Sequence, residues 1–237
     1  MKRIGGMRSV VIAAMVLWVS AVGCGSAKLK KCTGDLAACQ TEPKGRVART
    51  GQTACFDAAG AIVPCAGTGQ DGELQKGLTR TYVDNGDGTV TDTNTGLMWE
   101  KKSDDGSLHD QDNIYTWTAA YSLFIAALNS GGGFAGHTDW RLPNINELRS
   151  LPDYGVPPSL GCVNPPVDAV FNTGCTPGCT TTTCSCTPYL FSYYWSSTSC
   201  VDGPGDSAWS VLFWCGGIVG PQPKTQSLCA RAVRGGS

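Results

Sequence analysis

The segment that most constrains the fold is residues 134–151, with the sequence FAGHTDWRLPNINELRSL. Its run DWRLP leads directly into a helix start. Asn144 is typical of an N-cap, and Glu147, three residues later, can accept a hydrogen bond from the Asn144 backbone N–H. The segment also supplies regularly spaced apolar contacts, namely Trp140, Leu142, Ile145, Leu148 and Leu151. We therefore predict a strand end followed by a short capped helix from Asn144 to about Leu151.

A second helix is predicted over residues 118–128. Apolar side chains recur there at the spacing of one helical face, and a glycine-rich run after Asn129 ends the pattern. The predicted buried face consists of Ala120, Leu123, Phe124, Ala127 and Leu128.

Short runs of β-branched and aromatic residues between turn signals predict several strands. The first two flank the turn sequence DNGDG, and a further turn leads into the third. The predicted strands are 81–83, 89–91, 97–100, 193–198, 208–213 and a closing strand at 229–234.

The N-terminus has the pattern of an export signal. Positive charges at Lys2, Arg3 and Arg8 precede an apolar run over 9–23 that is short for a membrane span. The following Cys24 is preceded by small residues, as in a lipobox, so we expect a lipidated N-terminus. This predicts a lipoprotein anchored on the bacterial cell envelope, at the outer membrane or surface. The alternative is ordinary signal cleavage near residue 27, which removes Cys24.

Cysteine usage favours an oxidising compartment. The chain has 13 cysteines, and removal of Cys24 leaves an even number, which six disulfides could absorb. The pairs Cys32–Cys39 and Cys55–Cys65 each close a short local loop and are predicted to be disulfides. The other eight cysteines allow too many pairings to resolve.

The cysteines at 175, 179, 184 and 186 raise the question of a metal site. Zinc sites in proteins usually have two regularly spaced ligand pairs separated by a longer stretch of chain. The spacing here is irregular, the interior is rich in threonine, and no histidine is near. We therefore prefer disulfides that cross-link an irregular insertion.

Composition and charge limit the classes of partner. With the three basic residues of the leader removed, 15 Lys and Arg face 19 Asp and Glu, which gives a formal charge of −4. Nucleic acid is excluded as a partner because phosphate binding needs a basic surface. The predicted organisation is a signal peptide at 1–23, a polar tether at 24–50, a small cysteine-closed hairpin segment at 51–77 and one domain at 78–237.

One loop brings several oxygen ligands together. Asp84, Asn85, Asp87 and Asp92 are the types of ligand that calcium prefers, so calcium is the one cofactor we consider. The alternative, which we favour, is a β-turn in which these side chains cap local N–H groups.

Candidate ligand contacts lie near the predicted core strands. Trp214 follows the strand at 208–213 and falls on the face opposite Trp209 if the strand is regular. An aromatic ring beside polar loops is a common platform for sugars or protein anchors. Tyr193 and Lys224 are the other two candidates. Neither His109 nor His137 belongs to a recognisable catalytic arrangement. Asp139 and Arg141 are expected to form a buried network that supports the sheet.

Six motifs occur in a characteristic order along the chain. They are DNGDGTVTDTNTGLMWEK (84–101), YTWTAA (115–120), FAGHTDWRLPNINELRSL (134–151), YYWSSTS (193–199), AWSVLF (208–213) and RAVRG (231–235). Together they resemble a known family, the C-terminal domain of Legionella collagen-like adhesins, and the similarity covers roughly residues 78–235.

The resemblance implies an α+β fold of the C-type-lectin-like kind, with two helices packed on a twisted, mostly antiparallel sheet and long disulfide-stapled loops. It also implies a binding module. Family members bind sulfated polysaccharide, but the acidic balance of this chain departs from that ligand class. Formylglycine-generating enzymes share the fold and use two reactive cysteines near the C-terminus, where this chain has Cys215 and Cys229. Export and the even cysteine count instead predict disulfides at these positions.

The resulting expectation is a surface lipoprotein, not an enzyme, that binds a glycan or a protein at the cell surface. A structural envelope protein without a small ligand is the alternative. A formylglycine-generating type of enzyme is third. The expected partners are this ligand and, through the lipid anchor, the membrane.

Overall fold

The computed structural model describes residues 47–156, 165–188, 192–202, 205–213 and 217–236. The predictions made for Cys24, Cys32, Cys39, Trp214 and Cys215 lie outside these residues. The described part is α+β, with short helices and mostly antiparallel strands. Within the same residues, no helix has the length and apolar character needed to cross a bilayer.

A small hairpin forms the first part of the described chain. Strands β1 (Cys55–Phe56) and β2 (Ile62–Val63) pair antiparallel, and helix α1 (Asp71–Leu74) follows. A disulfide joins Cys55 to Cys65, the pair chosen from the sequence. By its contacts this hairpin belongs to the same compact unit as the rest of the described chain, Arg46–Ser237.

A four-stranded antiparallel sheet contains the chain's closing strand. Its order is β11 (Val233–Gly235), β5 (Leu97–Glu100), β4 (Thr89–Asp92) and β3 (Tyr82–Asp84). The DWRLP run joins this sheet at its β11 edge. There Arg141 and Val233 exchange two backbone hydrogen bonds of 2.9 Å each.

A five-stranded sheet lies at the centre of the fold. Its order is β6 (Ile114–Tyr115), β10 (Leu228–Cys229), β7 (Tyr193–Ser199), β8 (Ser207–Leu212) and β9 (Ile218–Pro223). The β10–β7 pair is parallel, whereas the other pairs among these strands are antiparallel. The outer strand β9 carries prolines at positions 221 and 223.

Both faces of the five-stranded sheet are buried. Tyr194 and Trp195 are neighbours in β7, and their side chains therefore point to opposite faces. Tyr194 packs in one apolar cluster with Trp99, Leu148 and Phe171. Trp195 packs in the other cluster, whose largest members are Phe124, Trp140, Leu142 and Leu128.

The longer helix differs from its prediction in an informative way. It begins with α2 (Trp117–Ala119), continues as a π-helical segment (Ala120–Ile125) and ends with α3 (Ala126–Leu128). The wider i→i+5 hydrogen bonding of a π-helix rotates the buried face. Ile125 is therefore buried, whereas Leu123 is 62% exposed and Ala127 faces solvent. The predicted face was wrong at positions 123 and 127.

The second predicted helix is confirmed but is shorter. Helix α4 spans Ile145–Leu148. The Asn144 side chain accepts hydrogen bonds of 2.9 Å from the N–H groups of residues 146 and 147, and its own N–H donates to Glu147 Oε2 at 2.8 Å. This is the capping box predicted from the sequence.

Three further expectations need correction. The closing segment is not one strand, because β10 and β11 belong to different sheets. Asp139 and Arg141 form no buried network with each other. Asp139 pairs with Arg234 at 2.7 Å, Arg141 pairs with Glu147 at 2.7 Å, and both ion pairs are partly exposed to solvent. Side chains alternate along an extended chain, so Asp139 and Arg141 point to the side opposite Trp140. The Trp140 side chain is buried.

The prediction of six disulfides was also wrong. Two of the remaining twelve cysteines, Cys200 and Cys229, are buried free thiols. Cys229 lies beside Tyr194, near the start of β7, in the neighbouring strand of the sheet. Cys200 directly follows the other end of β7. Six residues of strand separate the two positions by about 20 Å. A disulfide needs its Cα atoms within about 7 Å, so these thiols cannot pair with each other.

Candidate binding surface

The start of the longer helix builds a half-exposed aromatic surface. Thr116 is the N-cap, and its hydroxyl accepts a hydrogen bond from the N–H of Ala119. Trp117 and Tyr121 are one turn apart, so their rings lie on the same side of the helix. The ring centroids are 4.7 Å apart in an edge-to-face arrangement, and both side chains are half-buried.

Two hydrogen bonds fix the position of Trp117. Its indole Nε1 donates to the carbonyl of Ser196 in β7 at 3.0 Å. Its backbone N–H donates to the carbonyl of Lys224 at 3.1 Å. These bonds place the indole against the sheet and the chain that follows β9.

Lys224 completes this surface. Its Nζ lies 4.4 Å from the centroid of the Trp117 ring, within the range of a cation–π contact. The same Nζ donates to Ser199 Oγ at 2.9 Å and to the carbonyl of Gly205 at 2.8 Å. An ammonium group has three donors. One N–H of Lys224 therefore has no acceptor among the described residues.

We call Trp117, Tyr121, Lys224 and Ser199 the Lys224 surface. The turn after Lys224 borders it with three exposed polar residues, 225–227. A fixed ammonium beside partly open aromatic rings and hydroxyl groups can bind a polar ligand that also presents C–H groups.

Of the three predicted ligand contacts, the structure brings Lys224 into this surface. Tyr193 begins β7, is half-buried and lies opposite Leu212 in the sheet. The sequence analysis had not singled out Trp117 or Tyr121 as ligand contacts. The signal that could have found them is the N-cap at Thr116 with aromatic residues at positions 1 and 5 of the helix that follows.

The side chains suggested for calcium cap local groups. Asp84 pairs with Lys101 at 2.7 Å, and Asp87 accepts from the hydroxyl of Thr89 at 2.6 Å. Asp92 accepts from the N–H of residue 94 at 2.9 Å and from the hydroxyl of residue 95 at 2.8 Å. Asn85 donates to the Thr89 hydroxyl at 2.8 Å. These contacts are those of the turn alternative, and calcium binding stays an untested prediction.

A different acidic group lies in the loop after β5. The carboxylates of Asp104, Asp110 and Asp112 each place one oxygen within 4.8 Å of the others. Partial burial, together with the charges of Asp110 and Asp104, raises the pKa of Asp112. Asp110 is itself engaged, because its carboxylate accepts N–H bonds of 2.6 and 2.8 Å from Gly106 and Asp112.

A cluster of buried charges lies where β5 leaves its sheet. Glu100 Oε1 is 3.3 Å from Lys102 Nζ and 2.8 Å from His109 Nδ1, and Glu100 Oε2 accepts the Ala232 N–H at 2.9 Å. Burial alone would raise the pKa of Glu100. The charge of Lys102 and the hydrogen bond with His109 together outweigh this effect, so the pKa of Glu100 is lowered. Burial lowers the pKa of Lys102.

Arg231 joins these charges to the cysteine-rich loop. Its guanidinium is 1% exposed and donates to the Cys186 carbonyl at 2.7 Å and to Thr187 Oγ1 at 2.8 Å. Its guanidinium carbon lies 5.4 Å from the centroid of the Phe171 ring and 5.9 Å from that of Tyr194. The last motif predicted from the sequence, RAVRG, thus contributes a buried structural arginine.

The comparison with protein families agrees with these motifs. The family model for the Lcl C-terminal domain matches residues 88–234. The chain belongs to the Lcl C-terminal domain family. This confirms the resemblance stated from the sequence and places the chain in an adhesin-related family. No curated protein matches the chain. Within this Lcl C-terminal domain, the matched range includes both the Lys224 surface and the buried charge cluster.

Cys229, the cysteine considered for formylglycine-type chemistry, lies inside the same matched range. It is buried, and burial raises the pKa of its thiol. A reactive cysteine requires access and a stabilised thiolate. Burial of Cys229 opposes both conditions.

Proposed function

We propose that the chain is an extracellular binding module that recognises a glycan through the Lys224 surface. The observation that carries the proposal is the fixed Lys224 ammonium, which lies over the half-exposed Trp117 ring and has one N–H donor without an acceptor among the described residues. Sugars present C–H faces that pack on aromatic rings and hydroxyl oxygens that accept hydrogen bonds. The adhesin-related family supports the same class of function.

The proposal assigns no catalytic role to the chain. It includes the C-type-lectin-like arrangement implied by the resemblance, in which two helices pack on a twisted, mostly antiparallel sheet. It also includes attachment to the bacterial envelope through Cys24. Incorporation of a labelled fatty acid that is lost in Cys24→Ala, with export unchanged, tests the anchor independently of ligand binding.

A glycan array with the exported chain, followed by titration of the strongest ligand, tests the binding function. Lys224→Met and Tyr121→Ala each remove one contact and are expected to weaken binding about tenfold, which corresponds to about 1.4 kcal/mol. Phe56→Ser is the control, because this exposed aromatic side chain lies in the β1–β2 hairpin and not in the Lys224 surface. The Phe56→Ser variant should bind the glycan with the same affinity as the unmodified chain.

The proposal fails if no glycan binds saturably, or if glycan binding is unchanged in both surface variants while thermal unfolding shows that they are folded. Crosslinking to an envelope protein in the absence of glycan binding would support the protein-binding or structural alternatives instead.

A further inference from the structure

Four cysteine sulfurs lie close together in the loop after Phe171. Disulfides join Cys175 to Cys186 and Cys179 to Cys184. The two disulfides are in contact, because Cys186 Sγ is 3.8 Å from both Cys179 Sγ and Cys184 Sγ. The sulfurs of residues 175, 179 and 186 all lie within 4.8 Å of one another. One small volume thus holds two oxidised pairs, that is, four potential thiolates.

The separations between the disulfides fit a metal centre. Zinc binds thiolate sulfur at about 2.3 Å in a tetrahedron, whose edges are then about 3.8 Å long. Such a tetrahedron has six sulfur–sulfur separations. Two of them, each between sulfurs of different disulfides, already have this length in the structure. Formation of the centre requires the two bonded sulfur pairs to open to the same separation.

The backbone of the loop is held by hydrogen bonds that do not depend on the disulfides. Thr173 and Ser185 exchange two backbone bonds of 2.8 and 2.9 Å across the base of the loop. The carbonyl of Cys179 accepts from the N–H of Asp104 at 3.0 Å. Reduction therefore leaves contacts that keep the four cysteines near one another.

The buried charges next to the loop suit an anionic centre. A zinc ion with four thiolates has a net charge of −2. Arg231 donates to the Cys186 carbonyl at 2.7 Å, and the Cys186 N–H donates to the carbonyl of the buried Lys102 at 2.9 Å. Arg231 and Lys102 are both buried cations, and Lys102 is paired with the buried carboxylate of Glu100. Nearby positive charge stabilises thiolates.

We propose that reduction converts these two disulfides into a tetrathiolate zinc site formed by Cys175, Cys179, Cys184 and Cys186. Each disulfide takes two electrons and two protons from a dithiol, which itself becomes a cyclic disulfide. The four thiols then release four protons as their sulfurs bind one zinc ion. The site lies outside the Lys224 surface, and the proposal does not depend on glycan binding.

Metal uptake by the full chain tests this proposal. The protein is reduced with a dithiol, freed of the reductant without air and titrated with cobalt(II). The expected result is one equivalent of cobalt with the intense visible bands of a tetrahedral thiolate complex, which zinc then displaces. Absence of stoichiometric uptake, or the weak bands of octahedral cobalt, would overturn the proposal.

Alkylation of the unmodified sequence gives a readout that does not require a variant to fold. Zinc should protect the four loop cysteines in the reduced chain, whereas Cys55 and Cys65 should react fully. Equal labelling of all six cysteines would contradict the site.

A matched pair of double variants locates the metal. Cys175→Ser with Cys186→Ser should abolish the cobalt spectrum. Cys55→Ser with Cys65→Ser removes a disulfide elsewhere and should retain one equivalent. An unchanged spectrum in the first variant would refute the assignment.

Discussion

The buried Glu100–Lys102 pair allows a quantitative test of what holds the fold together. Glu100 is 0% exposed and Lys102 is 1% exposed. The substitution Glu100→Gln keeps the shape of the side chain but removes its charge. It therefore leaves the Lys102 ammonium buried near Arg231 without a counterion. Removal of one partner from a buried ion pair typically costs about 3–5 kcal/mol. That is a large part of the roughly 5–15 kcal/mol by which a domain is stable.

Urea unfolding followed by tryptophan fluorescence measures the loss. Lys102→Met should also destabilise, because Glu100 then loses the ammonium that lies 3.3 Å from its carboxylate. The double variant should cost less than the sum of the two by about 0.5–3 kcal/mol, since neither charge is then left alone. Asp139→Asn is the control: it breaks the partly exposed pair with Arg234 and should cost less than about 1 kcal/mol.

The same pair predicts a dependence on pH. The pKa of Glu100 is lowered in the folded protein. Its contribution to stability is therefore present above the ordinary carboxyl pKa of about 4.3 and is lost as the pH falls through the lowered value. Glu100→Gln should show a shallower loss of stability on acidification. Additive single variants, or a cost below about 1 kcal/mol for Glu100→Gln, would refute the electrostatic account.

Three further predictions concern the rest of the fold. Phe124→Ala should cost about 3–5 kcal/mol in urea unfolding, whereas Leu123→Ser, on the exposed side of the π-helical segment, should change stability by less than about 0.5 kcal/mol; similar costs would mean that the helix face is misassigned. Asn144→Ala removes the capping acceptor and should lower the free energy of unfolding by about 1 kcal/mol, and Asn144→Asp should retain most of it. Asp112→Asn relieves the repulsion that contributes to the raised pKa of Asp112, so it should raise the melting temperature slightly at pH 7 and leave it unchanged well below pH 4; a destabilised Asp112→Asn variant at pH 7 would contradict this account.

The local parts of the fold could be predicted because nearby residues determine them. The capping box needs only Asn144 and Glu147, three positions apart. The Cys55–Cys65 disulfide closes a short hairpin, for which few other partners compete. The strands at 89–92 and 97–100 follow from β-branched and aromatic runs between turn residues.

Other features could not be predicted because they depend on tertiary contacts. A π-helical segment leaves no clear pattern in sequence, so the buried face was assigned with the ordinary period and Ile125 was missed. Residues 228–235 contain no proline or turn sequence that would divide them, and only pairing with Tyr115 and Trp99 splits them between two sheets. The contact of Lys224 with Trp117 joins positions far apart in the chain, and no spacing rule relates them.

The prolines at the outer edge of β9 have a consequence for how copies of this chain can associate. An edge strand offers free N–H and C=O groups that a strand from a neighbouring molecule can pair with. Pro221 and Pro223 are two residues apart in β9, so their backbone nitrogens lie on the same side of the strand. The side that faces away from β8 therefore lacks two N–H donors. The opposite edge of this sheet, β6, is only two residues long. Both edges of this sheet therefore offer few backbone groups with which a strand of another copy could pair, which disfavours aggregation through edge-to-edge strand pairing.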